Sequence, residues 1–214
     1  MKPFKRKLIL TSLITFSPAL AGLFLWDHLP DQIATHFGPG NIPNGWSSKP
    51  FAVLAIPLFL TILHCLTIIV TLNDPKRQNI GRKMLSVIFW LIPVISLLCC
   101  LGSYAYALGF SVDIGLISNV CVGIVFILMG NYMAKNHQNY TVGIRLPWTL
   151  HHPENWNRTH RLASILWIIS GFVFILNGFF QYPAVCHRPG WLFLFSIQKG
   201  HLKPSAALRR HWKP

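Results

Sequence analysis

The chain has 214 residues, of which 52% are hydrophobic and only 11% charged, where a soluble domain carries about a quarter. Its 19 Lys and Arg against 5 acids give a net charge of +14, yet these basic residues sit in clusters between long apolar runs. That distribution argues against a soluble domain or a basic nucleic-acid-binding surface, and for an integral membrane protein.

Met1–Ala21 has the basic start and apolar core of a signal peptide. The apolar run Leu8–Trp26 is long for one, and four more runs follow, so it reads as an uncleaved first span. Next comes the polar loop Trp26–Pro50. Gln32–Phe37 can form a short strand, and Gly38, Pro39, Gly40, Asn41, Pro43, Asn44 and Gly45 make a dense turn region. The expectation is a small ordered cap, hairpin-like, with Phe37 and Trp46 at the membrane interface; a plain polar connection is the simpler alternative.

Further spans follow at Phe51–Leu72, Leu85–Leu108, Ile114–Met133 and Leu162–Tyr182. Each reaches the roughly 20 residues a helix needs to cross ~30 Å of hydrocarbon. Helices are required because the bilayer offers no water to backbone groups. Pro18, Pro57 and Pro93 are predicted to kink their helices. Polar residues inside the spans are few: His64, Asn119, Asn177 and scattered Ser and Thr.

Lys2, Lys5, Arg6, Lys7, Lys76, Arg77, Arg82, Lys83, Lys135, Arg145, Arg158 and Arg161 all fall on one side of this topology, and only Lys49 on the other. The positive-inside rule therefore puts the N-terminus in the cytoplasm. Beyond Pro183 the chain turns basic, with an apolar piece of only seven residues, Trp191–Ile197. A sixth span there is short or missing. The tail 186–214 reads as atypical, as from a frameshifted or truncated gene end.

Chemistry-bearing patterns are sparse. Four of the five Cys lie in apolar spans and read as small packers. His151, His152 and His160 lie near Glu154, but without the H-E-x-x-H spacing of a metalloprotease. No nucleophile–base pair, phosphate loop or paired carboxylates occur. The expectation is no enzyme, no cofactor and no metal.

The most informative stretch is the polar segment Gly130–Arg161. Gly130 and Asn131 read as the end of the fourth span. Asn139 and Gly143 favour turns, and Pro147 pushes Leu146 out of helical conformation. Pro153 and Glu154 suit the first turn of a new helix, on which Trp156, His160, Ala163 and Trp167 share one face. The reading is an ordered elbow at the inner membrane surface, with Trp148 and Trp156 as interfacial anchors. Arg145 is expected at headgroup depth, or on carbonyls at a helix C-terminus. The functional alternative is a docking face.

These residues resemble the signature of the SdpI family, the immunity proteins of the sporulation-delaying toxin and their relatives. The family pattern runs roughly G-N, then N-x-x-x-G-[IL]-R-x-P-W-T-L, then W-x-x-x-[HN]-R. It matches Gly130, Asn131, Asn139, Gly143, Ile144, Arg145, Pro147, Trp148, Thr149, Leu150, Trp156, Thr159, His160 and Arg161. The outer loop is similar to a small N-terminal module common in the family, through Leu29, Pro30, Asp31, Gln32, His36, Phe37, Gly45, Ser48, Lys49 and Pro50, with Trp46 beside them. The resemblance covers about Met1 to Tyr182 and fails in the tail.

It implies an all-α integral membrane protein of the bacterial cell membrane. Residues 1–75 would be a two-helix module with the extracytoplasmic loop 27–50, residues 76–185 the SdpI-like membrane domain, and 186–214 the atypical tail. It also implies resistance to a secreted antimicrobial peptide toxin, and signal transduction by holding a small repressor protein at the membrane. Expected partners are the lipid bilayer, the toxin outside and the repressor inside, with no direct nucleic-acid binding. By topology the toxin would meet Asp31, His36, Trp46 and Lys49, and the repressor Arg145, Trp148, Trp156 and His160. A small transporter or channel, or an unrelated role on the same fold, is the alternative.

Overall fold

The computed structural model describes residues 2–38 and 40–186, with side chains for 4–38 and 40–180. Six helices and one hairpin follow in order: α1 Lys2–Phe24, β1 Gln32–Gly38, β2 Ile42–Ser48, α2 Ile56–Leu72, α3 Arg82–Ala107, α4 Ile114–Met133, α5 Pro147–His151 and α6 Pro153–Cys186. Five stretches are long and apolar enough to cross a membrane: Phe4–Phe24, Phe51–Leu72, Arg82–Ala107, Ile114–Met133 and Pro153–Phe180. The protein is thus an all-α integral membrane protein with one small sheet. The tail from 187 onward, and with it the question of a sixth span, lies outside the described residues.

Pro18 and Pro93 lie inside α1 and α3, as expected. Pro57 does not. It sits at the start of α2, after a π-helical turn at Phe51–Ala55 whose last bond runs from Ile56 N to Phe51 O. Proline lacks the N–H that the preceding turn would use, so a wider turn absorbs the mismatch before the regular helix begins.

Polar groups tie α1 to its neighbours at mid-bundle. Thr11 Oγ1 bonds His64 Nε2 of α2 at 2.8 Å, and Ser96 of α3 donates to the Thr15 carbonyl at 2.7 Å. All four residues are buried. Among apolar chains in lipid, such bonds and close small-residue packing hold helices together. Above and below this layer lie two apolar clusters. Leu29, Ile33, Val53, Cys100 and Tyr104 form one at the cap end; Ile68, Met84, Phe89, Met133 and Ala163 form the other at the basic end.

α4 and α6 run antiparallel on a seam of small residues. Gly123 faces Gly171 and Ile175, and Gly130 faces Ser164 and Ile168. The Ser164 hydroxyl donates to the Gly130 carbonyl, and Asn177 Nδ2 donates to Asn119 Oδ1 at 3.1 Å. Small residues spaced by seven fall on one helix stripe, which lets two backbones approach closely over several turns.

The cap is an antiparallel hairpin, Gln32 pairing Ser48 and Gly38 pairing Ile42, with irregular register on either side of His36. Ile33 and Ala34 are fully buried against the bundle, while Trp46 stays exposed. Phe37 lies at this end of the bundle, half-buried. The irregular register breaks strict alternation, and its ring packs edge-on against Tyr106 of α3, 5.0 Å between centroids. The tip is pinned by Asn41, whose Nδ2 donates to the Val112 carbonyl while its Oδ1 accepts from Ile114 N.

Candidate functional site

Between α4 and α6 the chain makes a compact elbow held almost entirely by side chains bonding to backbone. Asn136 is buried; its Oδ1 accepts from Gly81 N at 2.8 Å and its Nδ2 donates to the Tyr132 carbonyl at 3.1 Å. Asn139 is fully buried and curls the chain, its Oδ1 accepting from both Thr141 N and Val142 N. Short polar side chains that accept from the backbone two and three residues on are a standard way to build a turn. Gln138 Nε2 donates to the Thr149 and Leu150 carbonyls, while its Oε1 accepts from Lys76 Nζ at 2.9 Å. Thr149 Oγ1 accepts from Leu146 N at 2.9 Å, closing the first turn of α5. Leu146 is extended there (φ −112°, ψ 155°), as the following proline requires.

Beneath this turn lie Trp156 and His160 of α6, stacked with centroids 3.9 Å apart and both essentially inaccessible. Trp156 Nε1 donates to the Asn136 carbonyl at 2.9 Å. His160 Nε2 accepts from Ile144 N at 3.0 Å, and Nδ1 lies 2.8 Å from the Trp156 carbonyl. A ring nitrogen that accepts from a backbone N–H carries no proton, so His160 is the neutral tautomer with the proton on Nδ1. Gly143 crosses directly over this pair at φ +123°, where a Cβ would strike His160 Nε2 and the Trp156 ring.

One further residue clasps the elbow, and its importance was not apparent in the sequence. Asp74, just past α2, is buried; its Oδ2 accepts from Tyr140 N at 2.9 Å and Thr141 Oγ1 at 2.7 Å, and its Oδ1 from Lys76 N at 2.7 Å. Asn79 adds a second clasp, donating to the Gln138 carbonyl at 2.6 Å. The sequence signal for Asp74 was a lone acid in a basic gap, at Asn-Asp-Pro. Removing its carboxylate strands two part-buried N–H groups and a hydroxyl. Asp74→Ala is expected to cost roughly 2–3 kcal/mol, and Asp74→Asn, which keeps one acceptor oxygen, less. Thermal unfolding of the detergent-solubilised variants measures both; equal melting of Ala and wild type would refute the clasp.

The signature residues divide by burial. Gly130, Asn139, Thr149, Trp156 and His160 are buried, and Gly143 is half-buried in the contacts just described. Trp156 is therefore no interfacial anchor: the face it shares with His160 and Ala163 points into the bundle, where its N–H finds the Asn136 carbonyl. Asn131, Arg145, Pro147, Trp148 and Arg161 are exposed. Arg145 binds no helix C-terminus; its Nη1 donates to the Tyr140 carbonyl within the elbow at 2.7 Å. Gly130 and Asn131 do not end α4, which continues to Met133. His151 and His152 stay exposed while His160 turns inward. Among the described residues no three His, Cys, Asp or Glu side chains converge. His64 and Asp113 are structural, the first bonded to Thr11 and the second capping α4 by accepting from Leu116 N at 2.8 Å.

At the opposite end, Leu29 is buried and Phe37 and Gly45 are half-buried. Pro30, Asp31, His36 and Trp46 are exposed. Lys49 Nζ lies 3.4 Å from Asp31, over the Trp26 ring, and donates to the Trp26 carbonyl at 3.2 Å. With the Asp31 carboxylate fully exposed, that ion pair adds little stability and leaves the carboxylate open to a ligand.

Residues 135–198, which begin at the elbow and run along α6, match the model of the SdpI/YfhL protein family. Over 179 residues the chain is 27% identical to Immunity protein SdpI of Bacillus subtilis (strain 168), covering 82% of this chain and 83% of that protein. The chain is thus similar to the SdpI/YfhL family in this region and to one immunity protein over most of its length. Residues 13–61, from mid-α1 through the cap into α2, match a second family, described as a domain of unknown function (DUF1648). The SdpI/YfhL match extends to residue 198, farther than the resemblance read from the residues, which stopped near Tyr182. No solved structure matches the chain.

Proposed function

We propose that this protein is an SdpI-like immunity protein of the bacterial cell membrane, giving its own cell resistance to a secreted antimicrobial peptide toxin. The supporting observation is its likeness to Immunity protein SdpI, which extends over most of both chains. In this reading the N-terminus is cytoplasmic, because twelve of the thirteen Lys and Arg in residues 1–182 lie at the elbow end. The cap then faces outward and presents Asp31, His36 and Trp46 to the toxin. The elbow faces inward, and its exposed signature residues, Arg145, Trp148 and Arg161, are the ones at the surface where a small repressor protein would be held. The buried ones shape the surface on which these stand.

The test is survival of a toxin-sensitive bacterium lacking its own immunity gene, challenged with the sporulation-delaying peptide toxin while expressing this protein. Wild type is expected to protect. Arg145→Ala should leave membrane levels and protection intact but abolish toxin-dependent induction of a repressor-controlled reporter. Death of wild-type cells that carry the protein in the membrane would reject the immunity reading. Protease added to intact spheroplasts should spare an N-terminal tag; cleavage of the tag would reverse the orientation.

A further inference from the structure

At the elbow end, α3 and α4 enclose a cleft of about 220 Å³ lined by Gly81, Arg82, Lys83, Met84, Tyr132 and Lys135, with Asn136 behind them. Its walls are largely carbon. Arg82, Lys83 and Lys135 are exposed, and among the described residues none of them forms an ion pair. No acid lines the cleft. The nearest in sequence, Asp74, has both oxygens committed to the elbow. Lys135 is held over the Tyr132 ring, 5.6 Å from its centroid. Asn136 takes the N–H of Gly81, and no side chain caps the turn of α3 that follows.

Three unneutralised cations around an apolar cleft between two membrane-spanning helices define a ligand with a negative group and an apolar body. We propose that this cleft binds a phosphate-bearing anion, an anionic phospholipid headgroup whose glycerol and upper acyl carbons lie against Met84 and Tyr132. Basic pockets between membrane helices select anionic headgroups in this way, and the open amino end of α3 adds N–H donors directed at the same charge. Because Asn136 also carries the Gly81 and Trp156 bonds, an occupied cleft braces the elbow from its lipid side.

The test uses the full chain purified in detergent and native mass spectrometry, with phosphatidylglycerol, phosphatidylcholine and inorganic phosphate as probes. A basic residue near an anionic headgroup is worth about fivefold in binding, so Arg82→Gln, Lys83→Gln and Lys135→Gln together should lower phosphatidylglycerol retention by roughly a hundredfold. A control with Lys5→Gln, Arg6→Gln and Arg161→Gln removes as many charges from the same end outside the cleft, and should retain lipid like wild type. Retention of phosphatidylcholine equal to phosphatidylglycerol, equal losses in the two triple variants, or no loss in the first would each overturn the site. Displacement of phosphatidylglycerol by millimolar inorganic phosphate, lost in the cleft variant, would keep the phosphate site but assign it to the free anion.

Discussion

A Gly143→Ala variant should lose the elbow, although it adds a single methyl group. Two costs coincide at this position. At φ +123° an L side chain is strained by about 1–3 kcal/mol. The new Cβ would also collide with His160 Nε2 and lie 3.1 Å from the Trp156 ring. Neither neighbour can retreat. His160 is held at both ring nitrogens, and Trp156 by its bond to the Asn136 carbonyl. Overpacking a fixed site adds roughly 1–3 kcal/mol. A total of about 2–6 kcal/mol rivals what a few turn hydrogen bonds supply, so the segment should open locally while the spans persist. Limited trypsin digestion is the sensitive readout, because opening exposes the chain around Arg145. The expected result is rapid cleavage there with the helical circular-dichroism signal retained. Digestion at the wild-type rate would show that the elbow does not depend on the close crossing of Gly143 over His160 and Trp156. His160→Gln, which keeps one acceptor for Ile144 N, should be cleaved at an intermediate rate.

The division between what the residues announced and what they concealed follows from the range of each interaction. The five spans were legible because bilayer crossing demands long apolar runs, and the hairpin because glycine, proline and asparagine concentrate at its tip. Pro153 and Glu154 correctly marked the start of α6, and Pro147 the extended Leu146. The elbow's interior was not legible. Asp74 reaches Tyr140 and Thr141 across 66 and 67 positions, and Asn136 reaches Gly81 across 55; no local pattern encodes such partners. Trp156 was misplaced for a related reason. A tryptophan at the edge of a span commonly sits at the interface, and only the carbonyl of Asn136, twenty residues earlier, draws this one inward. The family signature mixed these roles. Its buried members, Asn139, Thr149, Trp156 and His160, build the turn; of its exposed members, Arg145 adds one bond to the Tyr140 carbonyl, while Trp148 and Arg161 present their side chains at the surface.

Gly171→Leu should be the most damaging single change in the membrane region. A Cβ at Gly171 would lie 2.6 Å from the Gly123 carbonyl oxygen and 3.0 Å from Ile127 N. Both are backbone atoms of α4, so rotamer changes cannot relieve the contact and the helices must separate. Leucine adds three more carbons to the same gap. Helices in lipid associate through close packing and not through exclusion of water, so separation forfeits the attraction along the seam, including the Ser164–Gly130 bond. The cost should exceed about 3 kcal/mol. Phe172→Leu, at the next position, where the side chain is 56% exposed toward lipid, should melt like wild type. Size-exclusion chromatography after graded heating compares the two; equal survival would mean that α4 and α6 are held together by something other than the glycine seam. The damage should also travel. The elbow joins the end of α4 to the start of α6, and its bonds from Trp156 to Asn136 and from His160 to Ile144 are set by the spacing of those helices. Residue 171 lies about 22 Å along α6 from Trp156. Faster trypsin cleavage at the elbow in Gly171→Leu would therefore show that the seam, and not the turn alone, holds the signature residues in register.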